Sequence, residues 1–403
     1  LISSEAGTTR TITFSGDDSA IENITSTDTW YGGSYIGQFA AGTKVRITGT
    51  LTVQNITLTP VNDIRGGMFG YADLEIVGDV IDRNRSITVN DGKFNRALFI
   101  FSGNVSVPGS IDSADIQAIG GTSGCAVLHM TGPFNVNNVT GNRITVQQQA
   151  GQNSVGTLVL ALGSAASGYV RRVEGNDLTG FSGGCVYFSG GANGLVESVI
   201  ARRNRMGENG AGAYSGGDGD MTIISLYAID CHAETLGGAF FAHNHPTSST
   251  RNKTVKVINL TAINCTAANG GNAVYINSPN ETYTMTSSIE NAVIRGQATD
   301  NVAFGESGTS VHTATIDNSD IEGGASAITD GTTNGSVTAT NIFDDGSQVN
   351  ADGTLVPDSP YRTAGNYRRY GTRDANGRLF GLPMPIGALG PWSNPANTRT
   401  ARA

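Results

Sequence analysis

Asn176 leads, through a short polar stretch, to Gly183-Gly184-Cys185-Val186-Tyr187-Phe188, and the same phrase returns along the chain. It reads Asn204…Gly210-Ala211-Gly212-Ala213-Tyr214, then Asp230…Gly237-Gly238-Ala239-Phe240-Phe241, then Asn264…Gly270-Gly271-Asn272-Ala273-Val274-Tyr275. A weaker copy is Asn318…Gly323-Gly324-Ala325. A turn residue, a glycine pair and a short apolar strand, repeated at a loose period, mark stacked coils. In such a solenoid the chemistry sits on an extended lateral face.

Other short strands fit the same scheme. Lys44–Val53 alternates apolar and polar residues, as a half-buried strand does. Leu74–Val77 and Ser86–Val89 follow, and Ala97–Phe101 is answered by Ala126–Met130 and Thr157–Leu160. Aligning Ala97, Ala126, Thr157, Val186, Ala213, Ala239 and Ala273 gives steps of 26 to 34 residues, as expected where turns vary in length and strands stay in register. No stretch carries a 3.6-residue apolar stripe, so little helix is expected. A single coil buries too little apolar surface to offset the entropy of ordering its chain, so each must lean on two neighbours.

The recurring Asn tolerates a left-handed corner and can form a side-chain ladder between coils, while the glycine pair supplies positive φ. Arg295 takes the Asn slot of one coil and Asn301 replaces its following glycine, so that coil should be less regular. The expected organisation is an N-terminal cap over 1–40, a β-helix of roughly ten coils over 41–345, a C-terminal capping segment over 346–390 and an exposed tail over 391–403.

The 403 residues include 55 Gly and only 15% charged residues, with a net charge of −9. With 38% hydrophobic residues the chain is not of disordered composition, and its glycines lack the three-residue period of collagen. The acidic balance offers no basic stripe for nucleic acid. No apolar run is long enough to span a membrane. The sequence begins with Leu and shows no signal peptide, which reads as a processed or truncated product. The four cysteines, Cys125, Cys185, Cys231 and Cys265, have no metal-ligand spacing. Cys231 and Cys265 share a slot in neighbouring coils, which favours a buried thiol ladder over a disulfide.

On these features the chain resembles right-handed parallel β-helix proteins over about residues 41–345. The fold is all-β, and it serves pectin-lyase-like enzymes, glycan hydrolases, phage tailspikes and fibres, and bacterial adhesins alike. The repeated glycine-pair phrase also looks like the short repeats of autotransporter-type surface proteins, without the Phe that precedes their Asn. The tail, from Asp352-Gly353-Thr354-Leu355-Val356-Pro357-Asp358-Ser359-Pro360 through Ala364-Gly365, Asp374-Ala375-Asn376-Gly377-Arg378 and Ile386-Gly387-Ala388, is similar to segments that close the open end of such solenoids. The Asn-Thr-Asp and Gly-His-Gly steps of polygalacturonase-like hydrolases are absent, as is the Arg-x-Pro-x-x-Arg of pectate-lyase-like proteins.

Polysaccharide-cleaving β-helices need carboxylates as acid, base, nucleophile or Ca²⁺ ligands. Asp17-Asp18, Asp82 with Arg83 and Arg85, Asp218 with Asp220, Asp230 and Asp344-Asp345 are the candidates. Asp218 and Asp220 sit in a glycine-rich turn, where a turn is favoured over a metal site. If they hold an ion it is Ca²⁺; no other cofactor is implied. Asp230 occupies a ladder slot, and Asp344-Asp345 reads as a solvated loop. The sharpest local group is His243 and His245, alternating on a strand end, with His232 and Glu234 on an earlier turn. These residues and Asp230 are the candidate acid–base set. A surface loop is the plainer reading, and as an insertion on a solenoid face it makes His243, His245, Arg251 and Lys253 the first choice for recognition. His129 and His312 stand alone. The aromatics after the glycine pairs read as a stacked ladder.

The expected function is that of an extracellular, virion or cell-surface structural β-helix for attachment or assembly. Its partners would be a surface or extracellular polysaccharide or neighbouring virion or surface subunits, with a homotrimer among the candidate assemblies. The alternatives are a polysaccharide lyase or glycoside hydrolase and a bacterial surface adhesin.

Overall fold

The computed structural model describes residues 155–244 and 251–362 apart from 280, 281 and 298, most of 104–148, several strands between 2 and 102, and residues 364, 375, 376 and 387. It is an all-β parallel solenoid of about eight turns. Every pairing between named strands is parallel, and three sheets of 16, 9 and 7 strands run along it. Among the described residues helix is limited to three short 3-10 turns. The count falls below the expected ten because the described strands of the second and third sheets begin only at Ile100–Ser102 and Ser86–Thr88. The first sheet reaches further, since Thr11–Phe14 pairs with Lys44–Ile47.

One coil shows the construction. The long strand Asn193–Arg202 belongs to the first sheet, Arg205–Met206 to the third and Ala213–Ser215 to the second. Met221–Ile229 then begins the next coil one strand spacing away. The interior is filled by stacked aliphatic columns: Val136, Val170, Val196, Ile223 and Val257 follow one another in register, all with no exposed surface. Close packing of β-branched side chains on both neighbours supplies what a single coil lacks.

The glycine pairs bend the chain into the second sheet as expected. Gly183 and Gly184 have φ of 111° and 54°, and a Cβ on Gly184 would lie 2.0 Å from the Ala211 carbonyl oxygen. The register within that sheet differs from the sequence alignment at three places. Phe101 pairs with His129 rather than Met130. Thr157 pairs with Gly184 rather than Val186, and Ala213 with Phe240 rather than Ala239. Turn length varies between coils, so equal offsets from the glycine pair do not mean equal rungs.

The Asn ladder is also shifted. The left-handed corner is taken by Asp115, Arg143, Asp177, Arg203, Asp230 and Asn264, with φ between 52° and 61°, and then by Gly296. Asn176 and Arg295 sit one residue before this corner and Asn204 one after it. At each corner from Asp115 to Asn264 the backbone N–H donates to the carbonyl of the residue before the next corner, as Asp177 does to Arg202 and Arg203 to Ile229. The side chains alternate in charge: Arg143 pairs with Asp115 at 2.6 Å and Arg203 with Asp177 at 2.7 Å. Asn264 donates to Asp230 at 3.1 Å. Among the described residues the third sheet ends at Thr266–Ala267, one coil before Arg295.

The described parts of 346–390 lie against the side of the first sheet. Leu355 and Tyr361 pack on Ile263 and Val293, and Ala375 packs on Ile200 and Tyr227. Gly387 donates its N–H to the Asn291 carbonyl at 2.6 Å.

Candidate functional site

The first sheet is interrupted along one column. Between the paired rows Val136–Val170–Val196 and Asn138–Arg172–Ser198, the ladder register skips Asn137, Arg171 and Glu197. Each strand therefore turns two successive side chains outward, and the sheet bends there. A lateral groove of about 590 Å³ lies along this bend, lined by Asn137, Asn138, Arg171, Arg172, Glu174 and Glu197 among others. It runs from Asp79 and Ser110 toward Ser198 and Asn376.

The polar groups of the groove hold one another. Arg171 donates to the Asn137 carboxamide at 2.9 Å, and Asn137 donates to the Pro108 carbonyl at 3.0 Å. Glu174 accepts from Arg172 at 2.8 Å and from Arg202 at 2.6 Å. Burial pushes the Glu174 carboxyl toward its neutral form, but hydrogen bonds from both guanidinium groups outweigh it and hold the pKa below the ordinary glutamate value. The Tyr169 hydroxyl donates to Glu197. The Asn138 carboxamide oxygen is buried without a hydrogen-bond partner. The pairing register sets Glu174 opposite Ile200, three residues along from Glu197, which places the two carboxylate Cα atoms roughly 11 Å apart.

The residues singled out from sequence lie elsewhere and do not form one site. Asp230 is an exposed corner residue, and His232 is on the third sheet, 2.8 Å from the Thr266 hydroxyl and 3.2 Å from Glu234. His243 ends a second-sheet strand, with its Nε2 3.0 Å from the Tyr214 hydroxyl and its ring against Phe241. His245 lies outside the described residues. Asp218 and Asp220 form the expected turn. Asp220 accepts the Thr254 N–H at 2.7 Å and stands 3.5 Å from Arg251. Among the described residues no group of three His, Cys, Asp or Glu is placed to hold a metal ion.

Lys253 is not a surface residue. It is 1% exposed, and its ammonium donates to the carbonyls of Ser215, Gly217 and His243 at 2.8–2.9 Å. Burial lowers its pKa to about 7, against the opposing pull of Asp218 and Asp220. Its side chain turns inward because Lys253 opens the strand Lys253–Ile263, whose odd-numbered residues 253, 255 and 257 face the interior. Cys185, Cys231 and Cys265 are free, buried thiols. Tyr187, Tyr214, Phe241 and Tyr275 do form a ladder, with successive ring centroids 4.3, 4.9 and 5.9 Å apart.

Sequence reasoning missed the groove, although a signal for it exists. Val136-Asn137-Asn138-Val139, Val170-Arg171-Arg172-Val173 and Val196-Glu197-Ser198-Val199 each break the alternation with two polar residues between valines. Stacking these three segments yields the bend and most of its lining. Comparison with known proteins found no matching family model, no matching curated protein and no matching solved structure.

Proposed function

We propose that this solenoid is a surface-attachment protein of the extracellular, virion or cell-surface kind, and that the lateral groove binds a polysaccharide without cleaving it. The observation that supports binding is the groove's lining of amides, hydroxyls and guanidinium groups along a rigid sheet bend. Such a lining offers donors and acceptors in fixed positions to a hydroxyl-rich chain. Among the described residues Val77 is the one exposed large hydrophobic side chain, which weighs against a purely apolar protein interface.

The carboxylates speak for binding over hydrolysis. A general acid must carry a proton near neutral pH. Glu174 is held ionised between two arginines. A lyase is the competing reading, since a cationic side chain, Arg171, does line the groove.

The test is to probe the purified protein against arrays of bacterial capsular, cell-wall and acidic plant polysaccharides, and to analyse retained glycans for cleavage. Retention of an intact glycan, weakened at least tenfold in Arg171→Ala, is the expected result. Unsaturated or shortened products would replace this reading with the lyase or hydrolase one.

A further inference from the structure

The polar column that forms the groove does not stop at Ser198. The register continues it as Ser198, Ser225 and Asn259, and Asn291 donates to Asn259 at 3.2 Å. Ser225, Asn259 and Asn291 have no exposed surface. Over this stretch the face is covered by the chain's own C-terminal segment. The Tyr227 hydroxyl donates to the Asp352 carbonyl at 2.8 Å, a Cβ on Gly353 would touch Thr261, and Gly387 bonds Asn291.

Ala375 lies one rung nearer the groove, beside Ser198. Its carbonyl accepts from Ser198 Oγ at 2.7 Å and from Arg172 at 3.3 Å, its methyl is buried against Ile200 and Tyr227, and Asn376 lines the groove. Tyr361 donates to Asp320 and Gly387 to the Asn291 carbonyl, so both contacts lie on the coils beyond Ser198.

We propose that Ala375 and Asn376 form an end-stop that fixes the length of glycan chain the groove accepts. One continuous lateral trough is divided in two. Its C-terminal half is filled by polypeptide, and its open half spans the rungs of Asp79, Ser110, Asn138, Arg172 and Ser198, about 19 Å at one strand spacing per rung. A ligand lying along the open half meets Asn376 at one end. The groove then recognises a short oligosaccharide or the end of a longer chain, with Asn376 and the Ser198–Ala375 contact setting the limit.

This inference rests on the glycan reading, and one experiment separates the two. Affinities of an oligosaccharide ladder of increasing length, prepared from whichever polysaccharide the array retains, are measured for the wild type, Ala375→Trp and Ser198→Val. The tryptophan cannot fit the buried Ala375 site, so the Ser198–Ala375 contact is lost, read independently as faster tryptic cleavage after Arg373 and Arg378. In the wild type affinity stops rising once the open half is filled. In Ala375→Trp it continues to rise, and the longest member binds at least threefold tighter than to the wild type. Ser198→Val shifts the plateau the same way by a smaller amount. A plateau at the same length in all three proteins, or none in the wild type, overturns the end-stop while leaving the glycan reading standing. Failure of every protein to bind any member overturns both.

Discussion

Single residues carry unequal weight in this solenoid, and those of greatest weight are buried charges. Asp320 is fully buried and accepts from Arg295 Nε at 2.9 Å, from the Tyr361 hydroxyl at 3.1 Å and from the Asp345 N–H at 3.0 Å. Arg295 also reaches Asp344 at 2.8 Å, so this pair joins the last coils to the root of the C-terminal segment. Breaking such a pair strands a charge, and Arg295→Met is expected to lower stability by about 3–5 kcal/mol in denaturant titrations. Lys253 behaves differently. Its folded pKa of about 7 lies below the ordinary lysine value, so between the two the unfolded chain holds a proton that the native state has released. Stability therefore rises with pH across that window, and the cost of burying the ammonium is fully present below it. Urea unfolding at pH 6.5 and 9.5 should show this rise in the wild type and lose its Lys253 share in Lys253→Met. Neither role was legible in the sequence. Arg295 was read one position out of register, and nothing local marks Lys253 as buried, because its three carbonyl partners lie 10 to 38 residues away.

At the scale of elements, the corner ladder and the sheet bend share one origin, which is repetition one rung apart. The corner places non-glycine residues at positive φ, a conformation that costs about 1–2 kcal/mol for an ordinary L-residue. Alternating Asp and Arg side chains and a regular backbone bond at each corner oppose that cost. Asp177 is held ionised chiefly by its hydrogen bonds to Arg203, so its stabilising share is present at neutral pH and fades as pH falls through its lowered pKa. Exposed pairs of this kind are worth little singly, about 0.2–1 kcal/mol. Asp177→Arg, which would stack three cationic corners, should destabilise measurably at low salt and much less at high salt, as a Debye length of about 10 Å at 0.1 M implies. The presence of a corner was legible from Asn and Gly chemistry. Its occupants were not, since Arg is a poor sequence marker for a left-handed turn. The bend was legible in principle from the paired polar residues between valines, but only after the strands had been stacked. A catalytic or binding motif in the usual sense is absent, because the groove draws one or two residues from each of several coils.

For the whole molecule, parallel coils in a fixed register are the premise from which groove, corner ladder and covering segment all follow. The fold class was evident from the glycine-pair phrase and from alternating apolar strands, for both are imposed by backbone geometry at every turn. The lateral position of the C-terminal segment was not. The sequence pointed to a cover over the open end, whereas Leu355, Tyr361 and Ala375 are apolar contacts to the side of the first sheet, a face whose identity depends on register. A one-residue slip would turn Ile200 and Tyr227 inward and remove that docking face. Register is therefore the quantity to measure. Thr222 and Lys256 are outward-facing partners on adjacent rungs, one parallel strand spacing apart, within reach of a disulfide. The double variant Thr222→Cys/Lys256→Cys should oxidise to an intramolecular disulfide under mild conditions, while Thr222→Cys/Ile258→Cys, offset by two residues, should remain reduced. Preferential cross-linking of the offset pair, or of neither pair in folded protein, would contradict the parallel in-register solenoid and everything built on it.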